Sequence, residues 1–335
     1  MVMLWQDTLI GIDLGAWSVK AVILSGSRGS YRLKAAAYMK LPKEARDGDL
    51  GAEALASFLR SNGIKGGKAS VLMTGHSLMF RHFFLPEMPE KDLLEAVKWE
   101  IRKEVSIAPS ELVSDFVLAA GGAAEHKSSI IAFAGVKKEI DSILSYYREA
   151  GVDARVIEVV PTALLASFDA NNAWEDGLNY AILDIGYSKS TLAIFKKKRL
   201  AFTREISMGG QEFTRAAQKA TQKGTEEAEE FKHSAGHGEA MSVFPAAIER
   251  LSTEVHRSFD YYQAQYREGG VDKLFLSGGS ALLKGLDSAL SASIGIHVFI
   301  DDPFRKIKLP HREEGLTGLS PCFSVAMGLA LRAGA

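Results

Sequence analysis

An acidic glycine hairpin occurs twice in this chain. Residues 12–22 read IDLGAWSVKAV and residues 183–193 read LDIGYSKSTLA, so each segment combines an apolar strand, an Asp-x-Gly turn and a second strand. Glycine allows a ligand to approach the backbone closely, and the amide groups of such a turn can hold phosphate oxygens. The carboxylates of Asp13 and Asp184 suit a hydrated magnesium ion. Turn chemistry alone explains one copy of the pattern more easily than two, so the repeat predicts two hairpins that hold one nucleotide.

Two glycine pairs follow the second hairpin. Residues 207–214 read SMGGQEFT, where a helix is predicted to begin. Residues 274–286 read LFLSGGSALLKGL, a buried strand that runs through a glycine turn into a helix. Such a junction directs free amide groups and a positive helix end toward a ligand, or lets an adenosine ring lie against the backbone. Each pair alone is weak evidence, but their order after the hairpins strengthens the prediction of a nucleotide site.

In this order, the motifs resemble those of the superfamily that contains actin, heat-shock chaperones and sugar kinases. Within it the chain most resembles the PilM family of type IV pilus assembly, whose relatives include FtsA and GspL. The resemblance implies an α/β, two-lobed actin-like (ribonuclease H-like) ATPase fold that binds ATP and magnesium between its lobes. It implies that Asp13 and Asp184 contact the magnesium ion through its bound water.

The resemblance also implies roles for the residues around these carboxylates. It assigns phosphate contacts to Gly15, Ser18, Lys20, Gly186, Ser188 and Ser190, and further nucleotide contacts to Gly209, Gly210, Glu229, Lys232, Gly278 and Gly279. Glu229 and Lys232 would lie against the ribose and base, and Gly278 and Gly279 would approach the adenosine. Two alternatives stay open: Lys20 could be a strand-end lysine in solvent, and Glu229 with Lys232 could belong to a solvated helix face.

Composition restricts the class of protein further. The length of 335 residues favours two large lobes, and the net charge of −1 does not favour nucleic acid as a partner. The single cysteine, Cys322, cannot form an internal disulfide and is expected to be a small buried residue in a reducing compartment. No apolar run reaches the roughly 20 residues that span a bilayer, and no basic leader is evident. Composition therefore predicts a cytoplasmic protein, and the resemblance to the PilM family implies that it reaches the inner membrane through partners.

A segment that begins with a proline-rich sequence interrupts the predicted first lobe. LPEMP at 85–89 introduces a helix whose apolar stripe includes Val97 and Ile101, followed by two strands and a second helix. This block resembles the inserted subdomain of the PilM family, named 1C, beside which a groove receives the short N-terminal peptide of the membrane protein PilN. The resemblance implies a PilN-like partner and a groove at Trp99, Glu100 and Ile101. Trp99 could alternatively be a core residue, since tryptophan is favoured in both settings.

The predicted layout has two lobes and the insertion. Lobe 1 comprises 1–80 and 156–170, the 1C-type subdomain comprises 81–155, and lobe 2 comprises 171–335 with a 2B-type part at about 211–268. We expect the apolar helix at 321–332 to pack into lobe 2. Neither a basic amphipathic anchor nor a membrane segment follows it, which favours PilM over FtsA and GspL.

Whether the protein is an enzyme stays open. Val160 stands before Pro161 where the chaperones carry a glutamate, and Glu158 lies two positions upstream, so no catalytic base is assigned. Nucleotide binding is predicted, and weak ATPase activity is left open. The alternatives are a GspL-like secretion component, a self-associating FtsA-like filament protein, or a small-molecule kinase, which would need an acidic base near the cleft.

Overall fold

The computed structural model describes residues 8–27, 29–46, 51–64, 68–73, 78–105, 107–121, 126–266, 269–309 and 314–334. The strands are β1 Leu9–Leu14, β2 Ser18–Ser25, β3 Arg32–Lys40, β4 Lys68–Leu72, β5 Met79–Pro86, β6 Leu112–Leu118, β7 Lys127–Val136, β8 Asp153–Glu158, β9 Asn179–Ile185, β10 Ser190–Lys196, β11 Arg199–Ile206, β12 Lys273–Ser277 and β13 His297–Ile300. The α-helices are α1 Lys43–Arg46, α2 Ala52–Ser61, α3 Glu90–Glu104, α4 Lys137–Glu149, α5 Val160–Asn171, α6 Gly210–Thr221, α7 Thr225–Ser234, α8 His237–Val243, α9 Pro245–Tyr266, α10 Leu286–Ile294 and α11 Ser324–Arg332. Short 3₁₀ helices occupy Pro109–Glu111, Gly279–Leu282 and Glu314–Phe323.

Two sheets of the same topology form the two lobes. Their strand orders are β3-β2-β1-β4-β8 and β11-β10-β9-β12-β13. In each sheet an antiparallel hairpin that carries the repeated motif lies beside strands that run parallel to its first strand. The buried hairpin strands explain this placement, because their apolar runs favour the centre of a sheet covered on both faces. The duplicated motif therefore corresponds to a duplicated lobe, as the two-lobed prediction requires.

The third sheet belongs to the insertion. It has the order β5-β7-β6, and α3 packs on one face through Leu93, Val97 and Ile101. The helix that follows, α4, packs instead with α2 in the first lobe, where Tyr147 joins the core around Leu55. The inserted subdomain is thus β5 to β7, residues 79–136, and ends before the predicted boundary at 155 because the apolar face of α4 completes the lobe 1 core.

The inserted subdomain also contacts the second lobe. The amide of Ala120 donates a hydrogen bond to the carbonyl of Leu200 over 2.8 Å. The hydroxyl of Tyr266, at the end of α9, contacts Nδ1 of His82, and the two rings stack with centroids 4.5 Å apart. Burial lowers the pKa of His82 to about 4, so its ring is neutral at neutral pH. The subdomain is therefore attached covalently to lobe 1 and by side-chain and backbone contacts to lobe 2.

The C-terminal helix packs in the first lobe, so the expectation that it packs in the second is wrong. Helix α11 lies against β1 and α5, and Met327 and Ala330 share a core cluster with Val22 and Leu24. Small residues permit this close approach: a Cβ placed at Gly328 would lie 1.8 Å from the carbonyl oxygen of Ala163. The 3₁₀ helix Glu314–Phe323 carries the chain from lobe 2 to this position. Cys322 is buried in the same cluster, as expected.

We predict that Gly328→Ala lowers the midpoint of thermal unfolding. The added methyl group would clash with the backbone at Ala163, and overpacking of this kind costs about 1–3 kcal/mol. Gly238→Ala in α8 is the matched control, because no atom lies within 4 Å of its added Cβ. Alanine is also favoured over glycine within a helix, so this variant should unfold at or slightly above the wild-type midpoint. Equal midpoints for the two variants would contradict the packing described for α11.

Candidate functional site

The first hairpin positions a charged pair at its turn. Antiparallel pairing of β1 and β2 sets Asp13 opposite Lys20, and Nζ of Lys20 lies 3.0 Å from Oδ2 of Asp13. Burial alone would lower the pKa of Lys20, but the adjacent carboxylate of Asp13 outweighs it, so the pKa of Lys20 is raised. The amide of Gly15 donates to the carbonyl of Ser18 over 3.1 Å, which closes the turn. The alternative of a solvated strand-end Lys20 is therefore wrong.

The second hairpin positions a carboxylate, Asp184, whose strand neighbour is a hydroxyl donor and not a cation. Parallel pairing of β9 and β12 sets Asp184 beside Ser277, whose hydroxyl donates to Oδ1 of Asp184 over 2.6 Å. Burial, together with the negative charge of Asp13, raises the pKa of Asp184 to about 6 against the opposing effects of the Ser277 hydrogen bond and of Lys20. The two carboxylates thus influence each other across the space between the lobes. Sequence reasoning did not identify Ser277, although it precedes the glycine pair of β12.

Three further residues of the second turn differ in their surroundings. The buried hydroxyl of Ser190 donates to the carbonyl of Met208 over 2.6 Å, so it supports the loop. Ser188 is exposed at the turn. The carbonyl of Gly186 accepts the amide of Gly210 over 2.7 Å, which fixes the start of α6 against the hairpin.

The glycine pairs meet at this hairpin. A Cβ at Gly209 would lie 2.6 Å from the carbonyl oxygen of Gly186, and one at Gly210 would lie 2.5 Å from Oγ of Ser280 and 3.3 Å from Nζ of Lys232. Gly278 has a φ of +82°, a left-handed conformation that favours glycine. A Cβ there would lie 2.5 Å from the carbonyl oxygen of Ile185. The structure therefore brings both glycine pairs and Lys232 together around the second hairpin.

Glu229 and Lys232 form a buried ion pair on α7. Nζ of Lys232 lies 2.8 Å from Oε1 of Glu229, and both side chains are buried. Burial would raise the pKa of Glu229, but hydrogen bonds from His233, Lys232 and Thr214 and the charge of Lys232 lower it to about 2. Burial lowers the pKa of Lys232 despite the pairing. The alternative of a solvated helix face is therefore wrong for these two residues.

Two aromatic side chains that sequence reasoning did not assign to the site meet between the hairpins. The rings of Trp17 and Tyr187 stack with centroids 4.6 Å apart and an interplanar angle of 27°. Nζ of Lys40 lies 4.9 Å from the centroid of Trp17, and the same amine forms an ion pair with Glu226 on α7. A signal was present in the sequence, because each repeated hairpin carries one aromatic residue within two positions of its glycine.

The three residues predicted for the partner groove do not share one surface. Trp99 is 60% exposed, so its alternative as a core residue is wrong. Glu100 pairs with Lys103 over 2.6 Å. Ile101 is only 3% exposed and packs in the subdomain core, so it supports α3 and does not face a partner. A separate groove of about 550 Å³ lies between the 3₁₀ helix Pro109–Glu111 and α4, lined by residues that include Glu111, Lys137, Lys138 and Asp141.

The segment between the lobes offers no free carboxylate at Glu158. Its Oε1 accepts a hydrogen bond from Nε of Arg332 over 2.7 Å, and its Oε2 accepts one from the hydroxyl of Thr162. This buried carboxylate ties α11 to β8 and α5, which explains its burial without a catalytic role. Within the described ranges, no group of three His, Cys, Asp or Glu residues is placed to hold a metal ion. In the same ranges, no helix combines the length and apolar character needed to cross a bilayer.

We predict that single substitutions in the Glu229–Lys232 pair destabilise the protein. Lys232→Met or Glu229→Gln leaves one buried polar or charged partner uncompensated, which costs about 3 kcal/mol, whereas the double variant should recover much of this loss. Because the folded pKa of Glu229 is about 2, below its ordinary value of 4.5, its contribution is complete above about pH 5 and is lost as the pH falls toward 2. Thermal unfolding of wild type and of each variant between pH 2 and 7 measures both effects.

The control uses the same substitution in an exposed pair of the same spacing. Lys98 and Glu95 on α3 are 2.8 Å apart and their side chains are 35% and 68% accessible, so Lys98→Met should lower the unfolding midpoint much less than Lys232→Met. Equal losses of stability in Lys98→Met and Lys232→Met would show that the buried pair contributes no more to stability than the surface pair.

Comparisons with known proteins agree with this architecture. The family described as type IV pilus assembly protein PilM matches residues 11–334. A solved PilM-PilN type IV pilus biogenesis complex contains a chain with 25% identity and a TM-score of 0.84, covering 98% of this chain and 99% of that one. The ethanolamine utilization protein EutJ of Carboxydothermus hydrogenoformans has 15% identity and a TM-score of 0.59, over 98% and 91% of the two chains. MreB5 of Spiroplasma citri bound to ADP has 15% identity and a TM-score of 0.52, over 96% and 95%.

A curated relative matches over a shorter stretch. The cell division protein FtsA of Bacillus subtilis (strain 168) is 33% identical over 103 residues, which is 31% of this chain and 23% of that protein. The chain therefore spans about a quarter of the length of this relative. The likeness to EutJ and MreB5 shows the fold alone, whereas the family match covers nearly the whole chain. This two-lobed actin-like chain belongs to the PilM family of type IV pilus assembly proteins.

Proposed function

We propose that this protein binds ATP with magnesium between its lobes and, as a cytoplasmic scaffold of pilus assembly, binds the N-terminal tail of a PilN-like inner-membrane protein. The convergence of the two acidic hairpins, both glycine pairs and the Glu229–Lys232 pair carries the nucleotide part of the proposal. The partner part is supported by the resemblance to the PilM-PilN complex and by the exposed Trp99.

The donor set of the cleft fits a hydrated magnesium ion. Asp184 is a carboxylate whose charge is disfavoured by burial and by Asp13, so a cation nearby would stabilise its ionised form. Lys20 pairs with Asp13 and its charge also acts on Asp184, so two ionised carboxylates beside this one cation carry a net negative charge. Magnesium commonly binds through one or two carboxylates, waters and nucleotide phosphates. When bound, the ion would neutralise charge on the phosphates that Asp13 and Asp184 face.

Other residues of the cleft would contact the phosphate groups of the nucleotide. Amides at the turns of Gly15 and Gly186 would hold phosphate oxygens, with Ser18 and Ser188 nearby and Ser190 supporting the loop. Lys20 would supply a positive charge to the same phosphates while it pairs with Asp13. The start of α6 would add amides at Gly209 and Gly210. These contacts recognise a phosphate chain by charge and geometry.

The nucleoside side would be formed by lobe 2. The turn at Gly278 and Gly279 comes close to β9 and leaves backbone against which a planar base can lie. The buried Glu229 and Lys232 present polar groups of fixed position beside Gly210. Binding, rather than turnover, is proposed, because Glu158 is engaged by Arg332 and Thr162.

Partner binding would be coupled to the nucleotide through the inserted subdomain. This subdomain contacts lobe 2 through Ala120 and His82 while its chain ends join lobe 1. A nucleotide that stabilises one arrangement of the lobes would therefore also stabilise one position of the subdomain. Such a coupling would make the surface around Trp99 available to the membrane protein in one nucleotide state.

We expect Asp13→Asn and Asp184→Asn to weaken binding of fluorescent ATP in the presence of magnesium by about tenfold or more, since contacts to charged groups contribute about 1.5–3 kcal/mol. Both substitutions preserve shape, and Ser277 can still donate to Asn at position 184. Asp260→Asn on the exposed side of α9 is the control and should bind like wild type. Undiminished binding by the Asp13→Asn/Asp184→Asn double variant would refute the proposed site.

We expect Trp99→Ala to weaken binding of a peptide from the cytoplasmic tail of the PilN-like protein. An exposed tryptophan that anchors an interface contributes about 2 kcal/mol or more, a loss of at least about 25-fold in affinity. Tyr261→Ala removes another exposed aromatic, 54% accessible, from lobe 2 and should leave peptide binding unchanged. Fluorescence anisotropy of a labelled peptide measures both affinities. Equal affinities for wild type and Trp99→Ala would remove Trp99 from the partner surface.

A further inference from the structure

The stacked pair of Trp17 and Tyr187 joins the turns of the two hairpins. Trp17 lies in the turn between β1 and β2 of lobe 1, and Tyr187 lies in the turn between β9 and β10 of lobe 2. We propose that these two residues are positioning residues that form a clasp, which must open before a nucleotide leaves the cleft. This inference rests on the proposed nucleotide site and assigns the control of its exchange.

Each ring is held by the backbone of its own lobe. The carbonyl of Trp17 accepts the amide of Leu41 over 2.9 Å, and the carbonyl of Tyr187 accepts the amide of Gln211 over 2.8 Å. Because both turns are anchored in this way, the rings follow the positions of their lobes. A contact between two such rings therefore depends on the separation of the lobes at the phosphate side of the cleft.

A second contact extends the clasp toward the nucleoside side. Lys40 at the end of β3 lies over the Trp17 ring and pairs with Glu226 in the first turn of α7. The same helix carries the buried Glu229 and Lys232. Lobe 1 is thus linked by one chain of contacts to the phosphate turn and to the helix of the proposed nucleoside site.

The strength of these contacts suits a clasp that opens. A stacked aromatic pair contributes a factor of about 2 to 12 in an equilibrium or rate beyond its buried area. The Lys40–Glu226 pair is exposed, with side-chain accessibilities of 38% and 46%, so it adds little. The clasp therefore slows the separation of the lobes without preventing it, as the exchange of a nucleotide requires.

The clasp is tested by the rate at which a fluorescent ATP analogue with magnesium leaves the protein after addition of excess unlabelled ATP. We expect Trp17→Ala and Tyr187→Ala each to release the analogue about 2- to 12-fold faster than wild type. Trp17→Phe retains a ring and should release it at nearly the wild-type rate. The double variant should be no faster than Trp17→Ala, because Trp17→Ala already removes the stacked contact that Tyr187→Ala removes.

Controls separate failure of the clasp from failure of the proposed function. Tyr261→Ala removes an exposed aromatic of lobe 2 away from the hairpins and should leave the release rate unchanged. Wild-type release rates in Trp17→Ala and Tyr187→Ala, or effects that add fully in the double variant, overturn the clasp while the nucleotide site stands. A wild-type protein that binds none of the analogue overturns the proposed function and the clasp with it.

Discussion

Two carboxylates of like charge, Asp13 and Asp184, approach each other between the lobes, and the surrounding structure compensates this repulsion. Each sheet supplies the compensation from the strand beside the carboxylate. Antiparallel register sets Lys20 on β2 opposite Asp13, and parallel register sets Ser277 on β12 beside Asp184. The compensation is unequal, because lobe 1 contributes a cation and lobe 2 only a hydroxyl donor. Burial is the main reason why the pKa of Asp184 is raised to about 6, and the charge of Asp13 adds to this rise, so the cleft suits a further positive charge.

The features that could be predicted from the sequence are those encoded by residues close together along the chain. The Asp-x-Gly turns specify tight hairpins, and their repetition indicated that two equivalent lobes meet. The placement of α11 could not be predicted in the same way, since a helix that is apolar on most sides carries no signal for which sheet it covers. The small residue Gly328 allows contact with Ala163, but only the fold shows that Ala163 is the neighbour. The early end of the insertion has the same origin, because α4 completes a core formed by distant residues such as Leu55.

Trp99, Glu100 and Ile101 show how adjacency in sequence differs from adjacency on a surface. Successive helix residues are separated by about 100° around the axis, so three consecutive residues cannot all face one groove. The stripe of Val97 and Ile101 faces the sheet, and Trp99 projects to solvent. For Trp17 and Tyr187 the reverse holds: they are distant in sequence and adjacent in space. Their aromatic character was visible, but their contact depends on the relative position of the lobes, which no local pattern encodes.

A movement of the lobes would change the position of the inserted subdomain and of its surface around Trp99. Its chain ends continue into β4 and α4 of lobe 1, which fixes its base. Its contacts with lobe 2 include the Ala120–Leu200 hydrogen bond, the hydrogen bonds from Arg199 to the carbonyl of Leu118, and the stacked His82–Tyr266 pair. Because the attachment to lobe 1 is covalent and the contacts with lobe 2 are not, a rotation of lobe 2 would change the noncovalent contacts, among them the His82–Tyr266 pair. In the proposed function, the clasp at Trp17 and Tyr187 and this contact both join lobe 2 to the rest of the protein, so the state of the nucleotide and the position of the subdomain would change together.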